Sequence, residues 1–306
     1  MILTVTLNPA WDVTYLVDEL VVGESHRVGK VSAHAGGKGV NVSRVLCQLG
    51  HATSALCVVG GGVGQAIADD LSLAGVPSRL LRIPNESRRT VTVNDANGGA
   101  TVLNEPGPDA GSSVWPMLLQ ESRDVFGHAD VVVLAGSLPR WAPVDAYRQL
   151  VELAHSVDRP CVVDADDAAL SACLSAHPDV IKPNRAELAR ASGESDLTRG
   201  AVALRAAGAE RVVVSDGAQG MLSFDGVSVW RARPPQVLPL NPTGAGDAAV
   251  AAIAVSLAQN DAPEASLRRA CAWSAAAVLS PRAGLVDSAA LDEISARIEL
   301  TRLSGT

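Results

Sequence analysis

Residues 241–254 read NPTGAGDAAVAAIA. Pro242 breaks the strand-like stretch before it. Two glycines follow, then a single carboxylate, Asp247, then small apolar side chains. A glycine-rich turn that opens a helix leaves several backbone N–H groups unpaired and aimed at one point, and the helix dipole adds partial positive charge there. Gly244 and Gly246 let that backbone come close to an oxygen-rich ligand. AAVAAIAVSLA (248–258) leaves little room for an exposed face, so the helix is expected to be buried with Asp247 at its mouth. A carboxylate in a first turn also serves as an ordinary helix cap, and the bare G-x-G-D pattern fits that equally well. The chemical alternative is phosphoryl transfer. There a carboxylate orients a hydroxyl and accepts its proton, while backbone amides carry the developing charge.

Upstream of this turn, apolar strands alternate with helices. ADVVVLAGS, PCVVDA, VIKPN and RVVVSDG are strands separated by helical segments, and a hairpin follows the last. Helices are expected from residue 247 to the end. This order implies a mostly parallel sheet covered on both faces. The N-terminal part is different. ILTVTL is a strand ending at Asn8–Pro9, and TSALCVVG is a buried strand. GGKGVNVSRVLCQLG reads as an amphipathic helix closed by Gly50, and a further helix is expected over residues 63–74. Three stretches, about 11–17, 25–35 and 88–104, alternate apolar with polar residues. The last carries Asn97–Gly98 as a hairpin signal. They are expected to form a small separate β-sheet.

Composition narrows the function classes. The chain has 306 residues, 47% hydrophobic but only 3% aromatic, so its core is built from Ala, Val and Leu. The net charge of −8 argues against a general nucleic-acid or anionic-membrane binder. Cys47, Cys57, Cys161, Cys173 and Cys271 form no C-x-x-C pair and lie in apolar stretches. They read as small buried hydrophobes in a reducing compartment. The six histidines show no H-E-x-x-H or other ligand spacing, so no zinc site is expected. No basic leader precedes the first strand, and no apolar run is long enough to span a bilayer. A cytoplasmic protein is expected.

NPTGAGD resembles the signature of the ribokinase-like, phosphofructokinase-B family of sugar kinases. AGGKGVNVSRVLCQLG resembles that family's N-terminal sugar-binding signature, and AGSLPR, VIKPNRAEL and VVVSDGAQGML resemble its internal segments in the same order. The resemblance runs from TLNPAWD to about Gly284. It implies one ribokinase-like α/β domain over residues 1–306, with a three-layer fold, a mostly parallel central sheet and a small β lid over the sugar. The lid is often used for dimerisation in that family, so a homodimer is expected. The implied reaction uses ATP and Mg²⁺ to phosphorylate a sugar. The implied catalytic groups are Asp247 as base and Gly244, Ala245 and Gly246 as amide donors.

The same resemblance assigns further residues, each with a plainer reading beside it. Asp12, in N-P-x-x-D, would bond sugar hydroxyls; alone it is a loop residue. Gly36, Gly37, Lys38 and Asn41 would floor the sugar pocket, with Lys38 facing an anion; alone they are a glycine-rich helix start with a solvated lysine. Arg88 of NESRRTVTV would hold a substrate phosphate; paired with Arg89 it is otherwise surface charge. TVLNEPGP (101–108) resembles the phosphosugar branch. Lys182 and Asn184 would serve the nucleotide, and Asn184 and Glu187 the magnesium through water; otherwise they are a loop entering a capped helix. Ser215, Gly217 and Gly220 would line the nucleotide; otherwise they form a plain hairpin. Asp164 ends a strand at the sheet edge where α/β ligands bind.

Three departures bear on the substrate. Ser137-Leu138-Pro139-Arg140-Trp141 stands where the family has S-L-P-P-G. Arg140 is then a candidate phosphate contact and Trp141 a candidate for the pocket rim. DADD (164–167) adds carboxylates, and Asp216 replaces a common apolar residue. The expected reaction is conversion of fructose 1-phosphate to fructose 1,6-bisphosphate, with tagatose 6-phosphate or fructose 6-phosphate as alternatives. A non-catalytic sugar-phosphate sensor is the alternative of another class, and the intact GAGD argues against it. VVGGGVG (58–64) prompts a dinucleotide oxidoreductase, but the acidic residue that reading needs is not convincingly supplied.

Overall fold

The computed structural model describes residues 1–95 and 98–303. Asn97, half of the expected hairpin turn, lies outside the described residues. In chain order the strands are β1 Ile2–Thr6, β2 Ala10–Val17, β3 Lys30–Gly36, β4 Thr53–Gly60, β5 Ser78–Ile83, β6 Arg88–Asp95, β7 Ala100–Asn104, β8 Val131–Ala135, β9 Cys161–Asp164, β10 Val180–Ile181, β11 Val212–Ser215, β12 Met221–Phe224, β13 Val229–Arg233 and β14 Glu299–Leu303. The helices are α1 Lys38–Gln48, α2 Gly61–Leu73, α3 Val114–Phe126, α4 Ala146–His155, α5 Asp167–Cys173, α6 Arg185–Ser192, α7 Leu197–Ala206, α8 Ala245–Ala258, α9 Pro263–Ala277 and α10 Ser288–Ala296.

The large sheet runs β14-β13-β12-β11-β10-β9-β8-β1-β4-β5. Pairing from β5 through β11 is parallel, and β12, β13 and β14 continue it antiparallel. Strand alternation sends side chains to two cores. Leu3, Val5, Val132 and Leu134 face one core with Leu118, Leu150, Leu188 and Leu204 of α3, α4, α6 and α7. Ile2, Val131, Val133 and Ala135 face the other with α8 and α9. The small side chains of α8 suit close approach: from Asp247 to Ser256 the helix is wholly buried. This is the three-layer fold expected from the sequence.

The small sheet runs β3-β2-β6-β7, with β2 parallel to β6 and the other pairs antiparallel. Its second expected segment is shorter than the sequence suggests, because β3 begins at Lys30 rather than at residue 25. The β2–β3 pairing begins at Leu16↔Lys30, and Gly29 N–H already turns the chain onto the Leu16 carbonyl. Earlier residues have no strand to pair with.

Two strands escaped the periodicity reading, and both are edges. β5 closes one end of the large sheet and carries Arg79 and Arg82; β14 closes the other and carries Glu299 and Arg302. Short, charged edge strands resist edge-to-edge association, and the same charges hide them from an apolar pattern. β14 therefore replaces the helical end expected for the chain. Two helices, α6 and α7, stand between β10 and β11 where one was expected. Cys57, Cys161, Cys173 and Cys271 are buried and free, whereas Cys47 is half-buried. Among the described residues no helix is long and apolar enough to cross a membrane.

Candidate active site

The start of α8 forms the centre. Gly244 caps the helix at φ 87°, a left-handed conformation that glycine adopts without strain. A Cβ there would also come within 3.1 Å of the Ala283 Cα and the Gly284 nitrogen. The Ala245 N–H reaches the Pro242 carbonyl at 3.4 Å, and the first in-register helical bond is Ala248 N–H to the Gly244 carbonyl at 2.9 Å. The Gly246 and Asp247 amides therefore remain as donors at the turn. Of the three amides expected to act, that of Ala245 is the one with a partner of its own.

Asp247 is buried, 7% exposed, and its Oδ2 accepts a hydrogen bond of 2.7 Å from Asn41 Nδ2. Burial pushes its carboxyl up to about 6, the charge of Asp164 adds to the rise, and Asn41, Lys38 and Lys182 work against it. A carboxylate poised there is suited to accept a proton near neutral pH. Asn41 lies on α1, whose own N-terminus starts at Gly37 with φ 110°. The two glycine-rich helix starts singled out in the sequence thus face each other through this bond.

Below them Asp164 ends β9, 2% exposed, between two lysines. Lys38 Nζ lies 3.1 Å from Asp164 Oδ1 and 2.9 Å from Asp166 Oδ1. Lys182 Nζ lies 3.5 Å from Asp164 Oδ2. Burial alone would raise the Asp164 carboxyl, but Lys182 and Lys38 outweigh it and hold it below its ordinary value. A Cβ on Gly246 would sit 3.5 Å from Lys182 Nζ, so this buried ammonium lies beside the α8 turn. The two lysines, both paired with Asp164, and the α8 amides stand beside Asp247, an arrangement that can meet phosphate oxygens and accept a proton.

Residues expected on the sugar side meet at the small sheet. Asp12 on β2 folds its carboxylate over Gly36, and a Cβ on Gly36 would overlap it. Burial pushes Asp12 up to about 6, opposed by a hydrogen bond from Thr90 and by Arg88 and Arg44. Arg88 pairs in register with Ala10 and donates Nε to the Asn8 carbonyl at 3.1 Å, with Nη1 3.4 Å from Thr90 Oγ1. Arg89 is exposed and outside this group. Arg44 is buried in an ion pair with Asp70.

The nucleotide-side residues are joined more loosely. Asn184 Oδ1 accepts from the backbone of Ala186 and Glu187, and Glu187 Oε2 returns a 2.7 Å bond to the Asn184 N–H: a capping box at α6. The plain capping account of this segment therefore holds whatever else it does. Glu187 Oε1 remains, 4.0 Å from Lys38 Nζ. Together with half-exposed Asp166 it is an oxygen donor set of the kind that suits Mg²⁺ keeping several waters. Ser215 bridges to Asn184 along the sheet. Gly217 (φ 55°) and Gly220 (φ 88°) shape the next turn, where a Cβ on Gly220 would overlap the Ala232 carbonyl. These three share the sheet edge but do not touch the lysine–carboxylate cluster. Asp216 forms a two-bond ion pair with Arg185 at 2.6 and 2.7 Å, which accounts for its charge.

Asn8 was passed over as a mere strand end. Its side chain is buried, Nδ2 reaches Ser137 Oγ at 3.2 Å, and Oδ1 has no partner. Its membership of N-P-x-x-D was the available signal. Trp141 is buried in the core with Tyr147 and Leu150. Arg140 is exposed and makes no ion pair among the described residues. VVGGGVG does form a strand–turn–helix, but the α2 start is already occupied: Glu86 accepts from the Gly62 and Val63 amides at 3.3 and 2.5 Å. A dinucleotide phosphate would meet that carboxylate.

Comparison with known proteins agrees with this geometry. Residues 6–289 match the family described as pfkB family carbohydrate kinase. The chain is 33% identical over 307 residues to 1-phosphofructokinase of Escherichia coli strain K12, covering 97% of each. Its fold is similar to phosphofructokinase-2 from Escherichia coli in complex with potassium, at TM-score 0.91 and 28% identity over 96% of this chain and 98% of that one. It is also similar to the same enzyme in complex with fructose-6-phosphate, at TM-score 0.89, 28% identity and the same coverage. This chain belongs to the pfkB family of carbohydrate kinases.

Proposed function

We propose that this protein is an ATP-dependent kinase of fructose 1-phosphate that yields fructose 1,6-bisphosphate. The observation that carries the reading is Asp247: a buried carboxylate at a helix start with free amides, held by Asn41 and facing a lysine pair. In the forward step the substrate hydroxyl gives its proton to Asp247, its oxygen bonds to the γ-phosphorus of ATP, and the bond to the β,γ-bridging oxygen breaks to release ADP. Gly246 and Asp247 amides, with Lys182 and Lys38, carry charge on the transferring group. Asp12 orients sugar hydroxyls and Arg88 takes the substrate phosphate. Glu187 and Asp166 would hold Mg²⁺ through water, and the ion would neutralise charge on the ATP oxygens. The small sheet acts as a lid that excludes water, and Leu16, Val31, Val102 and Leu103 on it are exposed. Those apolar side chains support a homodimer formed through the lid.

Identity to a 1-phosphofructokinase favours the 1-phosphate over the 6-phosphates. The fructose-6-phosphate complex of a similar fold keeps fructose 6-phosphate as the second reading. ADP release with Mg-ATP separates them on a panel of fructose 1-phosphate, fructose 6-phosphate, tagatose 6-phosphate, fructose, ribose and adenosine. The highest kcat/KM is expected on fructose 1-phosphate. Preference for a 6-phosphate overturns the substrate, and ATP binding without turnover on any sugar favours a sensor.

A further inference from the structure

The parallel strands have a second end, away from Asp247. Cys161 begins β9, whose other end is Asp164; Asp179 directly precedes β10; His155 is the last residue of α4. Asp179 Oδ2 lies 3.0 Å from His155 Nε2, and Cys161 Sγ lies 3.7 Å from the same nitrogen. One ligand atom from each of the three residues falls within 4.8 Å of the others. A nucleophile–base relay would place thiol and carboxylate on opposite ring nitrogens. Here both converge on Nε2, as ligands do around a common centre. Zinc–nitrogen bonds of about 2.0 Å and zinc–sulfur bonds of about 2.3 Å set tetrahedral ligand atoms roughly 3.3–3.7 Å apart, close to the two separations from His155 Nε2, with all three atoms within 4.8 Å.

We propose that His155, Cys161 and Asp179 form a binding site for a zinc-class divalent cation, with a fourth position open to water, that pins the end of α4 to the starts of β9 and β10. The chemistry of the donors selects the ion: thiolate and imidazole favour zinc over magnesium or calcium. His155 is 36% exposed and Asp179 34%, so an ion can enter from solvent, while Cys161 forms the buried floor. The C-terminal end of α4 lends partial negative charge at His155. Burial holds Cys161 as a thiol, so binding releases its proton. Arg211 adds positive charge near Asp179, so sulfur and nitrogen rather than net charge carry the affinity.

Cobalt(II) titration of the full chain, without nucleotide or sugar, tests this. One equivalent is expected to produce a thiolate-to-cobalt charge-transfer band with the visible bands of a tetrahedral ion, and zinc should displace it. Cys161→Ser and His155→Gln should each abolish the band, and Asp179→Asn should weaken binding at least tenfold. His155 is partly exposed, so its glutamine variant is expected to fold, and far-UV circular dichroism checks each variant. No thiolate band at saturating cobalt, or a band unchanged in folded His155→Gln, overturns the site. Neither readout needs kinase turnover, so failure here and failure of the proposed reaction are distinguishable.

Discussion

Asn41 Nδ2 donates to Asp247 Oδ2 at 2.7 Å across 206 residues of sequence, joining the starts of α1 and α8. Among the described residues Asn41 Oδ1 is buried without a hydrogen-bond partner. An unpaired buried acceptor in a polar cleft fits a donor from a ligand.

Asp247→Asn is expected to lower kcat by about 10²–10⁴-fold, the usual worth of a general base, with ATP affinity nearly unchanged. The same variant should be more stable above pH 7. The folded carboxyl is raised from 3.8 to about 6 by burial, so ionising it costs on the order of 2–3 kcal/mol. The cost is complete above about pH 6 and disappears below about pH 4, where both folded and unfolded forms hold the proton. Equal denaturation midpoints for variant and wild type at pH 8 would refute this account.

The pH profile of kcat/KM should show an acidic limb near pH 6, rising with pH. Burial pushes Asp247 and Asp12 both up to about 6, and the proposed reaction uses both ionised. Because the two carboxyls rise to the same range, the limb belongs to the set rather than to one residue. A limb near pH 4, measured by initial rates in constant-ionic-strength buffers, would contradict their burial.

Gly36→Ala should raise KM for the sugar at least tenfold and leave KM for ATP within about twofold. The added methyl overlaps the Asp12 carboxylate and drives it from its place. A KM change confined to ATP would move Asp12 out of the sugar pocket.

Arg88→Ala should raise KM for a sugar phosphate much more than for the parent sugar. The guanidinium keeps a neutral anchor on the Asn8 carbonyl and has donors left for a phosphate. Equal effects on both sugars would assign Arg88 to lid structure alone.

Lys182→Met should cost about 3 kcal/mol of stability, because it removes a partner of a carboxylate that is 2% exposed. Adding Asp164→Asn should recover most of the loss, as urea denaturation of the double-mutant cycle would register.

Local pattern was legible where burial is two-sided. β1, β4, β8 and β9 are apolar runs because both faces are covered, and NPTGAGD announced its helix start through glycine and a lone carboxylate. β5 and β14 were not legible, since an edge strand with arginines carries too little apolar signal. The burial of Trp141 was not legible either, because a motif position does not say which way a side chain turns.

The sequence by itself determined the alternation of strand and helix, the two glycine-rich helix starts and the identity of the charged groups beside them. Backbone propensity and periodic burial are local, so a short window of residues suffices. Only the tertiary structure decided that Asn41 meets Asp247, that Lys38 meets Asp164 across 126 residues, and that His155, Cys161 and Asp179 converge at the opposite end of the sheet. Such meetings depend on the order in which strands lie side by side, and that order is settled by the packing of whole layers rather than by any single stretch of chain.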